Sequence, residues 1–378
     1  EVTFKLKEAM YPDTFLQDID TVFIIPKHVF EGKTAEEINA PDLWANPVGS
    51  GPFIYDSEIN GERMEFTKNE NYYLGAPNID RLIIRVVPSA NVLSGLMNGE
   101  LDMIGFGSVL TDDWETAKSQ DNLVTESIPT TSYSTLIFNT QKEYLTQEVR
   151  QALNMAINRD VLVNGLLMGE GTPIMTPIAP VSPYYNDKVQ VQYDPEKAKE
   201  ILEAAGCEMG DDGFYYRDGE KVGFVISVSA GDQVRIDMAQ IAAQELKEIG
   251  MDVSVEIPAQ TDWAGQMAFL IGWGSPFDAD DHTYKVFGTD KGANYSGYSN
   301  ADVDKYLTEA RQSADPEVRA EAYANFQKAL AEDPAYAMIC YIDANYVADS
   351  NIKGIDPDTI MGHHGVGIFW NVADWTIE

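Results

Sequence analysis

Apolar and polar positions along this chain switch repeatedly between a period of two and a period near 3.6, the pattern of an α/β protein. Val2–Leu6 alternates as a strand, and Phe15–Ile19 reads as a short helix. Phe53–Tyr55 and Met64–Phe66 flank Asn60-Gly61 and predict a hairpin. Leu82–Val87, Val92–Asn98 and Leu101–Ile104 read as strand, helix and strand, which together predict a β-α-β crossover. After the alternating segment Thr131–Asn139 the pattern turns helical. Val149, Ala152, Leu153, Ala156 and Ile157 fall on one helix face behind Thr146 as N-cap, and Asn158–Asp160 restarts a helix through Leu167. Asp194-Pro195 and Asp315-Pro316 each open a helix, with an acidic cap and proline in the first turn. Asn300 caps a helix through Ala310, and Ile236–Ile249 is a helix stopped by Gly250. Val225–Val228, Val253–Ile257, Phe269–Trp273 and Met338–Ile342 predict strands.

These elements divide into four stretches: 1–45 as the remnant of an N-terminal subdomain, 46–136 as part of lobe I, 137–345 as lobe II, and 346–378 as a return to lobe I. The chain's 378 residues exceed one ordinary core, which agrees with two lobes.

The stretch Phe269–His282 stands out. An apolar strand breaks into Gly274, Ser275 and Pro276, followed by Phe277, Asp278, Asp280 and Asp281. A large aromatic beside free amides at a strand end suits a small-molecule pocket, with Trp273 as platform and Gly274–Asp278 as its rim. A solvated acidic turn is the alternative. The aspartates resemble the start of an EF-hand loop, but its Gly and closing Glu are absent, so calcium is not expected. Tyr133 sits at the predicted crossing, where it would face ligand. Arg235 with Asp232 reads either as a ligand's charged partner or as a helix-start pair. His363-His364 would point to opposite faces of a strand, and they form a metal site with His282 only if the fold gathers them. No metal and no cofactor is expected.

Composition narrows the classes. Lys+Arg total 26 against 61 Asp+Glu, a net charge of −35. That excludes a nucleic-acid partner, which needs a basic face. Cys207 and Cys340 have no metal-ligand spacing and read as packing residues, with a disulfide between them as the alternative. No GxSxG, HExxH or Cys/His catalytic pattern occurs, so no enzyme is expected; a secreted hydrolase is the distant alternative.

Four segments carry a resemblance. They are Gly49–Phe53 with Asn69–Tyr73, Phe138-Asn139 with Val149–Leu153, Tyr193–Ala198, and Tyr298–Asn300 with Val303-Asp304. In order and spacing the chain resembles the extracytoplasmic solute-binding proteins, family 5, of peptide and nickel ABC transporters. The resemblance implies a periplasmic-binding-protein-like fold (type II, cluster C) with an interlobe cleft, the first lobe incomplete and the chain truncated at its N-terminus. It implies a monomeric binder, periplasmic or lipid-anchored as a lipoprotein, that captures an oligopeptide or dipeptide and delivers it to ABC permease subunits. A nickel or other metal chelate is the alternative cargo. In the family's dipeptide binders, a Trp-bearing loop supplies a carboxylate to the peptide amino terminus. Trp273 matches that Trp, but the carboxylate position falls near Pro276, which leaves Asp278, Asp280 or Asp281 as substitutes.

Overall fold

The computed structural model describes residues 3–7, 11–12, 15–16, 19, 22, 24–105, 109, 111–190, 192–259, 268–274, 278–362 and 365–378, without the side chains of Pro41, Thr111 and Asp281. Ser275, Pro276, Phe277, His363 and His364 therefore lie outside the described residues.

The chain divides into two compact units. The larger comprises 1–19, 129–343 and 362–365, and the smaller 20–128, 344–361 and 366–378. The crossings at 128/129 and 343/344 replace the expected boundaries at 136/137 and 345/346, and residues 1–45 do not form a separate piece.

The larger unit is built on a six-stranded sheet. Its spatial order is Asp252–Glu256, Gly223–Ser227, Ala268–Gly274, Ser132–Phe138, Tyr336–Ile342 and Gly171–Pro173. The first three strands are parallel, and the remaining pairings are antiparallel. Ser132–Phe138 thus lies inside the larger unit's sheet, where the sequence expectation had placed it at the end of lobe I. The reason is its two-sided burial. Leu136 and Phe138 pack beneath helices Gln147–Ala156, Pro195–Ala204 and Gln233–Glu248. Tyr133 and Ile137 pack beneath helices Ala279–Phe287, Ala301–Gln312 and Pro316–Glu332 on the other face. A strand covered on both sides cannot be at the margin of a lobe.

Strand Tyr336–Ile342 carries an extra residue between Met338 and Cys340. Ile339 and Cys340 consequently both face the first helical layer, while Met338 and Tyr341 face the second.

Three of the caps read from sequence, those at Asp194, Asp315 and Asn300, are present. Asp194 accepts from the Lys197 amide at 2.8 Å, Asp315 from Glu317 at 2.9 Å, and Asn300 from Asp302 and Val303 at 3.0 and 3.2 Å. Thr146 stands at an N-cap position but makes no capping bond; its hydroxyl accepts from Arg217 at 2.8 Å instead. Asn158–Leu167 is not an ordinary helix, since Val161–Leu166 forms a wider π-type turn.

Residues of two segments that carried the resemblance meet at Asp333. Arg150 pairs with its carboxylate and donates to the Pro334 and Leu145 carbonyls at 2.8 and 2.6 Å. Tyr298 donates to the Asp333 carbonyl and Asn300 to its carboxylate, each at 2.9 Å. These polar groups are held by one shared, partly buried acceptor residue.

The smaller unit holds the expected hairpin, Phe53–Ile59 with Arg63–Lys68. The expected crossover does not form. Arg81–Arg85 pairs antiparallel onto Arg63–Lys68, whereas Met103–Ile104 pairs with Ala344–Asp349 in another sheet, which also takes Leu123–Ile128. Helix Ser89–Met97 therefore joins two sheets rather than two neighbours. Residues 3–6 have no regular structure, contrary to the expected strand at Val2–Leu6. Cys207 and Cys340 are both free and buried, so the disulfide alternative falls. Among the described residues no helix is long and apolar enough to cross a membrane.

Two outcomes follow for the helix Gln233–Glu248. Leu246 is fully buried in the first core, and Leu246→Ala should cost about 2–5 kcal/mol in urea unfolding without changing the slope. Glu245 accepts the Asn158 amide at 2.9 Å, yet burial raises its carboxyl above the usual range. The folded state therefore binds the proton more tightly than the unfolded chain, and ionisation costs stability as pH rises above 4.5. Glu245→Gln should stabilise the protein at pH 7, and the gain should shrink as pH falls towards 4.5, as read from unfolding curves at both pH values.

Candidate functional site

The site is built at the end of strand Ala268–Gly274. Alternation puts Phe269, Ile271 and Trp273 on the face of the second helical layer. Trp273 pairs directly with Tyr133, and Tyr133 with Tyr341, so three aromatic residues form a row across three strands. Trp273 is half-buried, and its ring meets Tyr295 at 5.4 Å and His282 at 5.8 Å between centroids. Tyr295 is 47% exposed, so the pair presents aromatic surface.

Glycines shape both faces of this strand end. A Cβ at Gly274 would strike the Thr131 carbonyl, and a Cβ at Gly272 would strike the Arg235 guanidinium. Gly272 thus lets Arg235 lie flat on the sheet, where its Nε donates to Ser134 Oγ at 3.2 Å and its guanidinium pairs with Asp232, the cap of its own helix. Arg235 and Trp273 are consequently on opposite faces of the sheet. Of the two readings of Arg235, the helix-start pair is the one the geometry displays.

Tyr133 is fully buried, whereas the sequence had placed it facing ligand. A hydrogen bond links its Oη to His282 Nε2, which answers the need of a buried phenol for a partner. Burial pushes the Tyr133 hydroxyl well above its usual range. Tyr133 therefore stands beside Trp273 on the same sheet face, within the core, rather than meeting solvent.

Beyond the strand, helix Ala279–Phe287 begins where the sequence had suggested an acidic loop. Asp278 is its N-cap, accepting the Asp280 amide at 2.7 Å. Both Asp278 carboxylate oxygens also take a hydrogen bond from Arg319 Nη2, each at 2.7 Å. Arg319 is wholly buried, donates to the Ala310 carbonyl and Tyr184 hydroxyl at 3.1 Å each, and lies 4.4 Å from the Tyr11 ring. Arg311 binds Asp280 Oδ2 through Nε and Nη2 at 2.9 and 2.6 Å. Burial raises the Asp280 carboxyl despite that arginine. The structure therefore gives both described aspartates protein partners, where the sequence had left them open to a ligand or cation.

A small cavity of about 20 Å³ lies against this array, lined by Thr131, Ile178, Asp278, His282, Thr283 and Tyr341 among others. It has room for about one water molecule. Among the described residues no group of three His, Cys, Asp or Glu side chains could hold a metal ion.

The family model of bacterial extracellular solute-binding proteins, family 5, matches residues 1–295. This chain belongs to that family. It is 29% identical over 395 residues to the oligopeptide-binding protein AppA of Bacillus subtilis, a match that spans 99% of this chain and 70% of that protein. The crystal structure of NikZ from Campylobacter jejuni, in complex with Ni(L-His), superposes with a TM-score of 0.85 at 32% identity, covering 97% of this chain and 75% of that one. AppA from Bacillus subtilis, in complex with a nonapeptide, gives 0.85 at 26% identity, covering 99% and 76%. The family 5 chain thus has the type II periplasmic-binding fold and is an extracytoplasmic solute-binding component of the ABC-importer type.

Arg319, Arg311 and Tyr295 are the residues of this site that sequence reasoning missed. For Arg319 no local signal existed, since its partner stands 41 positions away. The helix start was visible in principle, because an aspartate precedes a turn and then the apolar pair Val286-Phe287. Arg319→Met alone should cost about 3–5 kcal/mol by stranding Asp278 in the interior, and the double variant Asp278→Asn/Arg319→Met should recover most of it, as read by denaturant unfolding.

Proposed function

We propose that this chain captures a short peptide on the aromatic surface of Trp273 and Tyr295 and presents it to the membrane permease of an ABC importer. The observation that carries the reading is the half-open Trp273 at the end of a buried strand, with Tyr295 against it. A rigid indole offers large apolar contact at little conformational cost, which suits cargo of variable side chain. The similarity to an oligopeptide-binding protein along 99% of the chain supports the same cargo class. The protein works as a monomer at the outer face of the cell membrane, in the periplasm or held by a lipid anchor, and releases its cargo chemically unchanged. Gly274 and the following Ser275, Pro276 and Phe277 supply the rim of the site in this reading.

A metal chelate is the second reading. It is favoured by the 32% identity to a protein solved with Ni(L-His). Against it, His282 already uses Nε2 on Tyr133.

Isothermal titration with dipeptides, nonapeptides and Ni(L-His) separates the two. Peptide binding supports the first reading; a response to Ni(L-His) alone supports the second. Trp273→Ala should weaken peptide binding by about tenfold or more while the protein stays folded by circular dichroism.

A further inference from the structure

An asparagine followed by glycine occurs at Asn60-Gly61, Asn98-Gly99 and Asn164-Gly165. All six residues are exposed, so access to water does not distinguish the pairs. Backbone hydrogen bonding does. Asn60-Gly61 lies in the turn between strands Phe53–Ile59 and Arg63–Lys68. The Glu62 amide closes that turn on the Ile59 carbonyl at 2.9 Å, and Gly61 takes the positive φ, 75°, that its place in the turn demands. Among the described residues no acceptor takes the Gly61 N–H. Gly99, by contrast, donates to the Leu96 carbonyl at 3.0 Å. The Glu100 and Leu101 amides lock the same helix end onto the Gly95 carbonyl at 2.8 and 3.2 Å. Asn164 and Gly165 lie inside the wide helical turn Val161–Leu166, and the Gly169 amide ties its end to the Val163 carbonyl at 3.0 Å.

We propose that Asn60 is a site of spontaneous modification, deamidation through a cyclic imide, and that Asn98 and Asn164 are protected from it by their helices. The Gly61 nitrogen gives its proton to solvent and attacks Asn60 Cγ. The Cγ–Nδ2 bond breaks, and Nδ2 takes a proton from solvent and leaves as ammonia. Water then opens the imide. Attack at Cγ breaks its new bond to the Gly61 nitrogen and yields aspartate. Attack at the Asn60 main-chain carbonyl carbon breaks that carbon's bond to the Gly61 nitrogen and yields isoaspartate, joined to Gly61 through Cγ. The sum exchanges ammonia for water, with no oxidant or reductant. The ring closes readily where the next residue has no Cβ and its nitrogen is held by no acceptor. The fold leaves Gly61 in that condition. At Gly99 and Gly165 helical hydrogen bonds must open first, and the rate falls by that opening equilibrium. Either product places a new carboxylate between Glu58 and Glu62 in the chain. Isoaspartate also lengthens the backbone of the turn, whose Glu62 carbonyl accepts the Val86 amide at 2.8 Å.

The test incubates the intact chain at neutral pH in heavy-oxygen water, then digests it in ordinary water and maps the peptides by mass spectrometry. Label thereby marks only conversions made during the incubation. The expected result is labelled aspartate and isoaspartate at residue 60, formed about tenfold or more faster than at residues 98 and 164. In a parallel incubation in urea, which removes the fold, the three sites should convert within about threefold of one another. Equal rates in the native chain overturn the proposal, as does conversion at Asn98 or Asn164 ahead of Asn60. A native order that persists unchanged in urea overturns it too, because the fold is then not its cause.

Discussion

Ser132–Phe138 has a strand on each edge and helices on each face, and the larger unit is arranged by that double enclosure. Its even-numbered apolar residues serve one core and its odd-numbered ones the other. The position of Trp273 follows from it, because Trp273 is registered against Tyr133 and therefore shares its face. The face that each indole or phenol of the aromatic row occupies is set by backbone pairing.

Charge is managed differently in the same region. A chain with 61 acidic residues could have ringed its binding surface with open carboxylates. The two described aspartates after Trp273 are instead turned inward onto Arg319 and Arg311. These pairs tie the start of one helix to two others, Ala301–Gln312 and Pro316–Glu332. Buried ion pairs are poor sources of stability, but they fix position through directed hydrogen bonds, fully for Asp278 and through Oδ2 alone for Asp280, whose buried Oδ1 has no hydrogen-bond partner. Their role here is to hold the first turn of helix Ala279–Phe287 in one place.

Sequence and structure agree where the signal is local. The caps at Asp194, Asn300 and Asp315 depend on residues two or three positions away, and all three form as read. The hairpin at Asn60-Gly61 is local too. Pairing over long distances was not legible. A period of two says that Leu82–Val87 is a strand, but its neighbour is chosen by the whole sheet, and Met103–Ile104 found its partner at Val347-Ala348. In the candidate site, Trp273 was visible as a large aromatic before a glycine, and its half-exposed place matches that description. Tyr133 and the aspartates were misjudged for one reason. Polar and ionisable groups look available in a sequence, and only the fold reveals a His282 or an Arg319 already engaged with them.

The extra residue at Ile339 sets the phase of everything after it on that strand. Were the same residues kept in regular alternation, with no bulge, Tyr341 would fall on the side of the first helical layer, and Tyr133 would lose the ring that packs 5.7 Å from its own. A chain lacking Ile339 alone would keep both its hydrogen-bonded ladder and its aromatic row, because Cys340 and Tyr341 already stand opposite Ser134 and Tyr133.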